Sequence, residues 1–186
     1  MLRPTLIVFA RSPAIGVGKT RLARDIGRVE AWRVYRAMSA RLLWAVRDPR
    51  WTVVLRLDGR RRDAAWPCLR VEPQGGGDLG ARLTRGLRGH GRHGVAVVGT
   101  DAPEVNRARI AAGFRARNAI GPATDGGFWL LALSGKRARS VKLEGVRWSS
   151  AHTLSDTVRL LGTLTELETL SDIDDGKDLK AYWSRR

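Results

Sequence analysis

The chain has 186 residues, 43% of them hydrophobic, with 34 Lys and Arg against 18 Asp and Glu and a formal net charge of +16. That length suits one globular domain, so residues 1–186 are read as a single unit that needs no disulfide or structural metal to fold. The lone cysteine, Cys68, excludes an internal bridge, and no apolar stretch is long enough for a membrane span, so the expectation is a cytoplasmic protein.

In chain order, Leu6 to Arg11 reads as a short buried strand, too short and with the wrong flank for a signal-peptide core. The turn Ser12-Pro13-Ala14-Ile15-Gly16-Val17-Gly18 follows it. A helix then starts at Lys19 and breaks or bends near Gly27. Trp32, Tyr35, Met38, Leu42 and Val46 recur at helical spacing and are read as a core face. Trp51 to Leu57 and Leu69 to Glu72 read as strands, and Asp78 is placed to cap a helix through Leu79, Leu83 and Leu87. Gly94 to Gly99 is the clearest buried strand and runs into Thr100-Asp101-Ala102-Pro103 ahead of a helix over 105–117. Ala119 to Gly121 and Phe128 to Leu133 read as two strands joined by Pro122-Ala123-Thr124-Asp125-Gly126-Gly127. A helix over 150–161, a strand over 164–170, the acidic turn Asp172-Ile173-Asp174-Asp175 and a last helix with Tyr182 and Trp183 complete the chain.

Strands alternating with helices imply an α/β fold with a mostly parallel central sheet, whose ligands sit outside the carboxyl ends of the strands. The turns holding Arg11 to Arg21 and Thr100 to Glu104 are therefore the candidate site. Gly16-Val17-Gly18-Lys19-Thr20 looks like the end of a P-loop, but the full motif needs glycine where Pro13 stands, and Pro13 has no N–H to offer a phosphate. A strand leading into a helix N-terminus still favours an anion. Gly16 and Gly18 admit close backbone approach, and Arg11, Lys19 and Arg21 add positive charge.

Asp101 is a candidate Mg2+ or Mn2+ ligand at the sheet edge, or else a helix cap. Asp125 lies in an Asp-Gly turn, which by itself reads as a hairpin. Asp172, Asp174, Asp175 and Asp178 either hold a metal or cap a helix, and His90 and His93 are read as surface residues. The basic residues are nearly all Arg, spread along the chain, and accompany no zinc-finger, basic-zipper or RNA-stacking motif. Such an excess can serve nucleic acid, an acidic membrane surface or a polyphosphate substrate, or simply reflect arginine-rich codon usage; without such a motif, nucleic acid is not an expected partner.

Several motifs, in order and spacing, are similar to those of a known group. They are Phe9-Ala10-Arg11-Ser12-Pro13 with Gly16 and Lys19-Thr20-Arg21-Leu22; Gly77-Asp78-Leu79-Gly80 with Arg82-Leu83; and Gly99-Thr100-Asp101-Ala102-Pro103. Gly121-Pro122-Ala123-Thr124-Asp125-Gly126-Gly127-Phe128, Trp148-Ser149-Ser150 and Leu170-Ser171-Asp172-Ile173-Asp174 complete the series. Together they resemble the bacterial glycosyltransferase-like family of unassigned function (DUF2064 type). That family falls within the GT-A, or nucleotide-diphospho-sugar transferase, superfamily and is related to molybdenum-cofactor and coenzyme F420 guanylyltransferases.

The resemblance implies a three-layer α/β/α sandwich that binds a nucleotide or nucleotide sugar and uses Mg2+ or Mn2+. It implies that Arg11, Gly16, Gly18, Lys19 and Arg21 hold the phosphates, and that Gln74, Gly80 and Arg82 lie by the nucleobase. It further implies that Asp101 binds the metal, with Asp125, Gly126 and Gly127 facing the same site. Arg11 stands where the family usually has Lys, Gly18 where it has Val and Phe128 where it has Tyr. Glycosyl transfer to an unknown acceptor is the expected reaction, with Lys19 and Asp125 as its catalytic groups. Nucleotidyl transfer from an NTP, or nucleotide or nucleic-acid binding without turnover, are the alternatives.

Overall fold

The computed structural model describes residues 3–59 and 69–185; Cys68 lies outside them. Seven strands form one sheet in the order β3-β2-β1-β4-β6-β5-β7. They are β1 (Thr5–Arg11), β2 (Thr52–Asp58), β3 (Arg70–Pro73), β4 (Val95–Val98), β5 (Ala119–Pro122), β6 (Phe128–Leu133) and β7 (Thr165–Glu166). All neighbours pair in parallel except around β6, which runs antiparallel to β4 and β5. The expected mostly parallel sheet is therefore present, and the turn through Asp125 is the hairpin that its Asp-Gly sequence suggests.

Period-two alternation sends each central strand's side chains to both faces. Leu6, Val8, Ala96, Val98, Leu130 and Ala132 point to one side. There they meet Leu42, Leu43 and Val46 from α2 (Arg28–Ala45) and its C-terminal end, and Ile110 and Ala111 of α4 (Arg107–Ala116). Ile7, Phe9, Val95, Val97, Leu131 and Leu133 point to the other side. That face is covered by Leu83 and Leu87 of α3 (Leu79–His90), Ala138 of α5 (Gly135–Ser140) and, in part, Leu154 and Leu161 of α6 (Thr153–Leu161). Helix α1 (Thr20–Ile26) is separated from α2 by Gly27. Its Leu22 packs with Ile173 and with Leu179 of α7 (Gly176–Ser184) in a smaller third cluster. The result is the three-layer sandwich.

Two expectations are corrected. The strand expected over 164–170 is reduced to Thr165–Glu166. Leu167 and Leu170 still donate to Ile120 and Pro122, but the carbonyl of Glu168 accepts the Trp129 indole N–H at 2.9 Å, which takes it out of the ladder. Trp129 lies where a Cβ on Gly121 would stand, so β5 tolerates only glycine at that crossing. His90 is not a surface residue. Its Nε2 lies 2.9 Å from Glu72 Oε2 and its side chain is 13% exposed.

Candidate active site

The site is built from the bottom of the opening loop upward. β1 ends at Arg11, whose N–H donates to the Tyr35 hydroxyl while the same hydroxyl donates back to the Arg11 carbonyl, both at 3.0 Å. The Trp32 indole N–H donates to the Pro13 carbonyl at 3.0 Å. Two residues of the supposed core face of α2 thus clamp the loop, and their regular spacing conceals that task. Beyond the clamp, Gly16 and Gly18 take φ values of 81° and 73°, and Lys19 itself is left-handed.

This turn delivers Lys19 across the molecule to the C-terminal segment. Its ammonium lies 2.6 Å from Asp101 Oδ1 and 2.8 Å from Asp174 Oδ1, and it donates to the carbonyl of Ile173. An ammonium has three N–H donors, and these three acceptors match them. Burial alone would lower the Lys19 pKa, but the charges of Asp101 and Asp174 outweigh it and hold the group above its usual 10.5.

Asp101 lies three residues past the end of β4, after Gly99 and Thr100, and is half exposed. It is not the helix cap: Asn106 caps α4, its side-chain oxygen accepting from the N–H groups of Ala108 and Arg109 at 3.0 and 3.1 Å. Asp125 braces its own turn by accepting from Gly127 N–H at 2.8 Å. At Gly126 a Cβ would fall 2.6 Å from the Ala151 backbone, and its carbonyl accepts from Leu154 N–H at 2.9 Å, so the hairpin tip sits directly on the entry to α6.

The acidic turn divides its work. Asp175 and Asp178 form a capping box on α7. Asp174 turns to Lys19, while Ile173 points the opposite way into the α1–α7 cluster and its N–H donates to the Asp101 carbonyl at 3.0 Å. Asp172, on the same side as Asp174 by the alternation of an extended segment, has no hydrogen bond or ion pair among the described residues. Burial first, and then the nearby charges of Asp125, Asp101 and Asp174, push its carboxyl up to about 7.

Two adjoining clefts meet here, with Arg21, Asp101, Asp174 and Ser149 among the residues that they share. The first, about 650 Å³, is lined by Arg11, Gly18, Lys19, Arg21, Gln74, Arg82 and Asp101 among the residues expected from the sequence. Gln74 closes its floor, donating to the carbonyls of Ala10 and Arg56 at 3.0 and 3.1 Å. Arg82 donates to Asp58 at 2.9 Å. The second cleft, about 440 Å³, contains Asp101, Asp125 and Gly127 together with Asp172 and the rings of Phe128 and Trp148.

Gly16, Gly80 and Gly126 line neither cleft. A Cβ on Gly80 would lie 2.6 Å from the Leu143 carbonyl oxygen and 2.7 Å from Trp148 Nε1, so this glycine makes room both for that backbone and for an aromatic wall of the second cleft. Among the lining residues, sequence reasoning did not single out Asp58 and Tyr35 for the site, read Asp172 and Asp174 as a metal cluster or a helix cap, and carried Trp148 only in a resembling motif. For Asp172 and Asp174 a signal existed in their two-residue spacing around an apolar Ile173. For Asp58 and Tyr35 none did. Among the described residues, no group of three or more His, Cys, Asp or Glu side chains is placed to hold a metal ion.

The fold recurs in solved structures. A Desulfovibrio desulfuricans G20 protein provisionally described as a nucleotide-diphospho-sugar transferase superposes with a TM-score of 0.86 at 22% identity, covering 99% of this chain and 88% of that one. Rv0371c from Mycobacterium tuberculosis H37Rv, in a complex with manganese, gives a TM-score of 0.58 at 17% identity, with 100% of each chain covered. The 2-C-methyl-D-erythritol 4-phosphate cytidylyltransferase of Thermus thermophilus gives 0.56 at 17% identity, again with 100% of each chain covered. No curated protein matches the sequence. The sequence itself is matched over residues 42–150 by the model of a family described as uncharacterised proteins conserved in bacteria, DUF2064, and the chain belongs to that family.

Proposed function

We propose that the chain is a metal-dependent transferase that binds a nucleotide sugar in the first cleft and passes its glycosyl group to an acceptor in the second. The observation that carries this reading is the position of Asp101, at the junction of a cleft rimmed by Arg11, Arg21 and Arg82 and a cleft holding Asp125 and Asp172. A diphosphate laid along the opening loop has cations on one side and carboxylates at its sugar end. We take residues 1–186 as one such unit, because a single sheet carries both clefts, and place it in the cytoplasm, where nucleotide sugars are held. No helix among the described residues is long and apolar enough to cross a membrane.

The residues fit a divalent cation. Mg2+ and Mn2+ commonly take only one or two protein carboxylates and complete their shell with phosphate oxygens and water. Asp101 and Asp125 are the ligands we assign, and the bound ion would stabilise charge on the leaving diphosphate. Rv0371c, of the same fold, is known in a manganese complex. The acceptor hydroxyl oxygen forms a bond to the anomeric carbon. The bond from that carbon to the diphosphate breaks with its electron pair on the diphosphate oxygen, and the hydroxyl proton passes to a carboxylate, a role we give to the Asp125 oxygen that does not bind the metal. Arg21 and Arg11, the latter only loosely held by Asp58 at 3.9 Å, are the cations for the diphosphate oxygens. Lys19, its donors engaged, acts by holding Asp101 and Asp174 in place.

A second reading, transfer of a nucleotidyl group from an NTP to a phosphorylated acceptor, draws support from the shared fold of the cytidylyltransferase. A thermal-shift panel separates the two. Nucleoside di- and triphosphates and nucleotide sugars are each tested with and without Mg2+ or Mn2+, because a ligand of the native state raises the melting temperature by mass action. A metal-dependent rise with one nucleotide sugar supports glycosyl transfer. A rise confined to a triphosphate, with pyrophosphate released on turnover, selects the rival.

A further inference from the structure

The protein carries an excess of sixteen positive charges, yet its second cleft has the opposite sign. Asp101, Asp125, Asp172 and Asp174 line it against one cation, Arg21. Asp101 and Asp174 share the single positive charge of Lys19, and Asp125 and Asp172 make no ion pair among the described residues. With nearly two cationic residues for every acidic one in the chain, this reversal is a local property of the cleft.

The cleft's other wall is apolar. Phe128 and Trp148 meet edge to face, ring centres 6.3 Å apart at 70°, and Leu79 adds an exposed side chain beside them. Trp148 keeps this position because Gly80 has no Cβ to displace it.

We propose that the acceptor is an uncharged, hydroxyl-bearing molecule with an apolar or aromatic face, and that a phosphorylated acceptor is rejected. This rests on the glycosyl-transfer reading of the same site and extends it to the acceptor's chemistry. The aromatic corner receives the apolar face, and the hydroxyl donates to Asp125 or Asp172. A phosphate placed in this cleft meets four acidic residues set against Arg21 and the one charge of Lys19, and like charges brought together are costly. A divalent cation does not change the sign, because it enters with a diphosphate whose charge it balances.

The test uses a matched pair of probes on the full chain, phenyl β-D-glucopyranoside and its 6-phosphate, followed by saturation-transfer NMR and tryptophan fluorescence. The neutral glucoside is expected to bind at least about tenfold more tightly than the phosphate, and Asp172→Asn to shrink that ratio several-fold. Trp148→Ala is expected to weaken the glucoside about tenfold, as loss of an aromatic platform does. The melting temperature of each variant reports folding, and Trp148→Phe supplies a milder change at the same wall. The metal-dependent thermal shift with nucleotide is read on the same samples. If that shift is present while the phosphate binds as well as the glucoside, or neither binds, the acceptor proposal is overturned and the nucleotide reading stands. If the nucleotide shift itself is absent, the reading beneath it fails.

Discussion

Replacing Lys19 by Gln isolates the contact that joins the two ends of the chain. In the native protein its side chain is 8% exposed, and its ammonium meets Asp101, Asp174 and the Ile173 carbonyl. Hydrogen bonds to charged groups contribute roughly 1.5–3 kcal/mol each when buried. Here Asp101 and Asp174 are 48% and 31% exposed, so they rehydrate once the lysine is gone, and the sum is discounted heavily for solvent screening. A net loss of about 2 kcal/mol follows, which for a domain of this length lowers Tm by roughly 4–8 °C.

The pH dependence carries a second signature. The folded pKa of Lys19 lies above its unfolded value of 10.5, so its contribution is complete below that value and is lost as pH rises through the folded pKa. Wild type and Lys19→Gln should therefore differ at neutral pH and converge on the alkaline side of 10.5. The assay is thermal unfolding in metal-free buffer across pH, repeated with Mn2+. Added Mn2+ should restore part of the lost stability in the variant by taking over the carboxylates. A Tm within about 1 °C of wild type at neutral pH, which corresponds to roughly 0.5 kcal/mol or less, would refute the reasoning.

Tyr35→Phe removes the hydroxyl that both accepts from and donates to the Arg11 backbone. It should cost about 1–3 kcal/mol in chemical denaturation and weaken nucleotide binding through a loosened loop. Gly121→Ala places a methyl on the Trp129 ring and should lower stability by roughly 1–3 kcal/mol, as overpacking does, seen as a reduced urea midpoint. Asp172 has a folded pKa of about 7, above its ordinary value of 3.8, so the native state holds its proton over that window longer than the unfolded chain does. Stability in metal-free buffer should therefore fall as pH rises from about 4 to about 7, and Asp172→Asn should flatten that fall, as read by denaturant titration at each pH.

The fold was legible because its strands are short apolar runs bounded by turns, and because buried central strands alternate their side chains into two cores. The exception, the segment after α6, was read as a full strand from its alternating pattern. A single indole hydrogen bond from Trp129, distant in sequence, withdraws the Glu168 carbonyl and shortens it. The site was legible where chemistry follows position, as at Asp101 after β4 and the cationic opening loop. It was not legible where a residue acts through the fold. Tyr35 and Trp32 look like core from their spacing, and Gly80 looks like a ligand-binding glycine although what it makes room for is the Leu143 carbonyl and Trp148. Lys19 lies in a phosphate-loop sequence, but its partner Asp174 is 155 residues away, a pairing that only the tertiary structure supplies.

The most direct test of the central claim is calorimetric titration of the nucleotide sugar found by thermal shift, with and without Mn2+, into wild type and Asp101→Ala. Metal-enhanced binding to wild type, with the metal's enhancement abolished in an Asp101→Ala variant that is still folded at the assay temperature, is the predicted result. Equal metal-dependent affinity in both proteins would contradict the account.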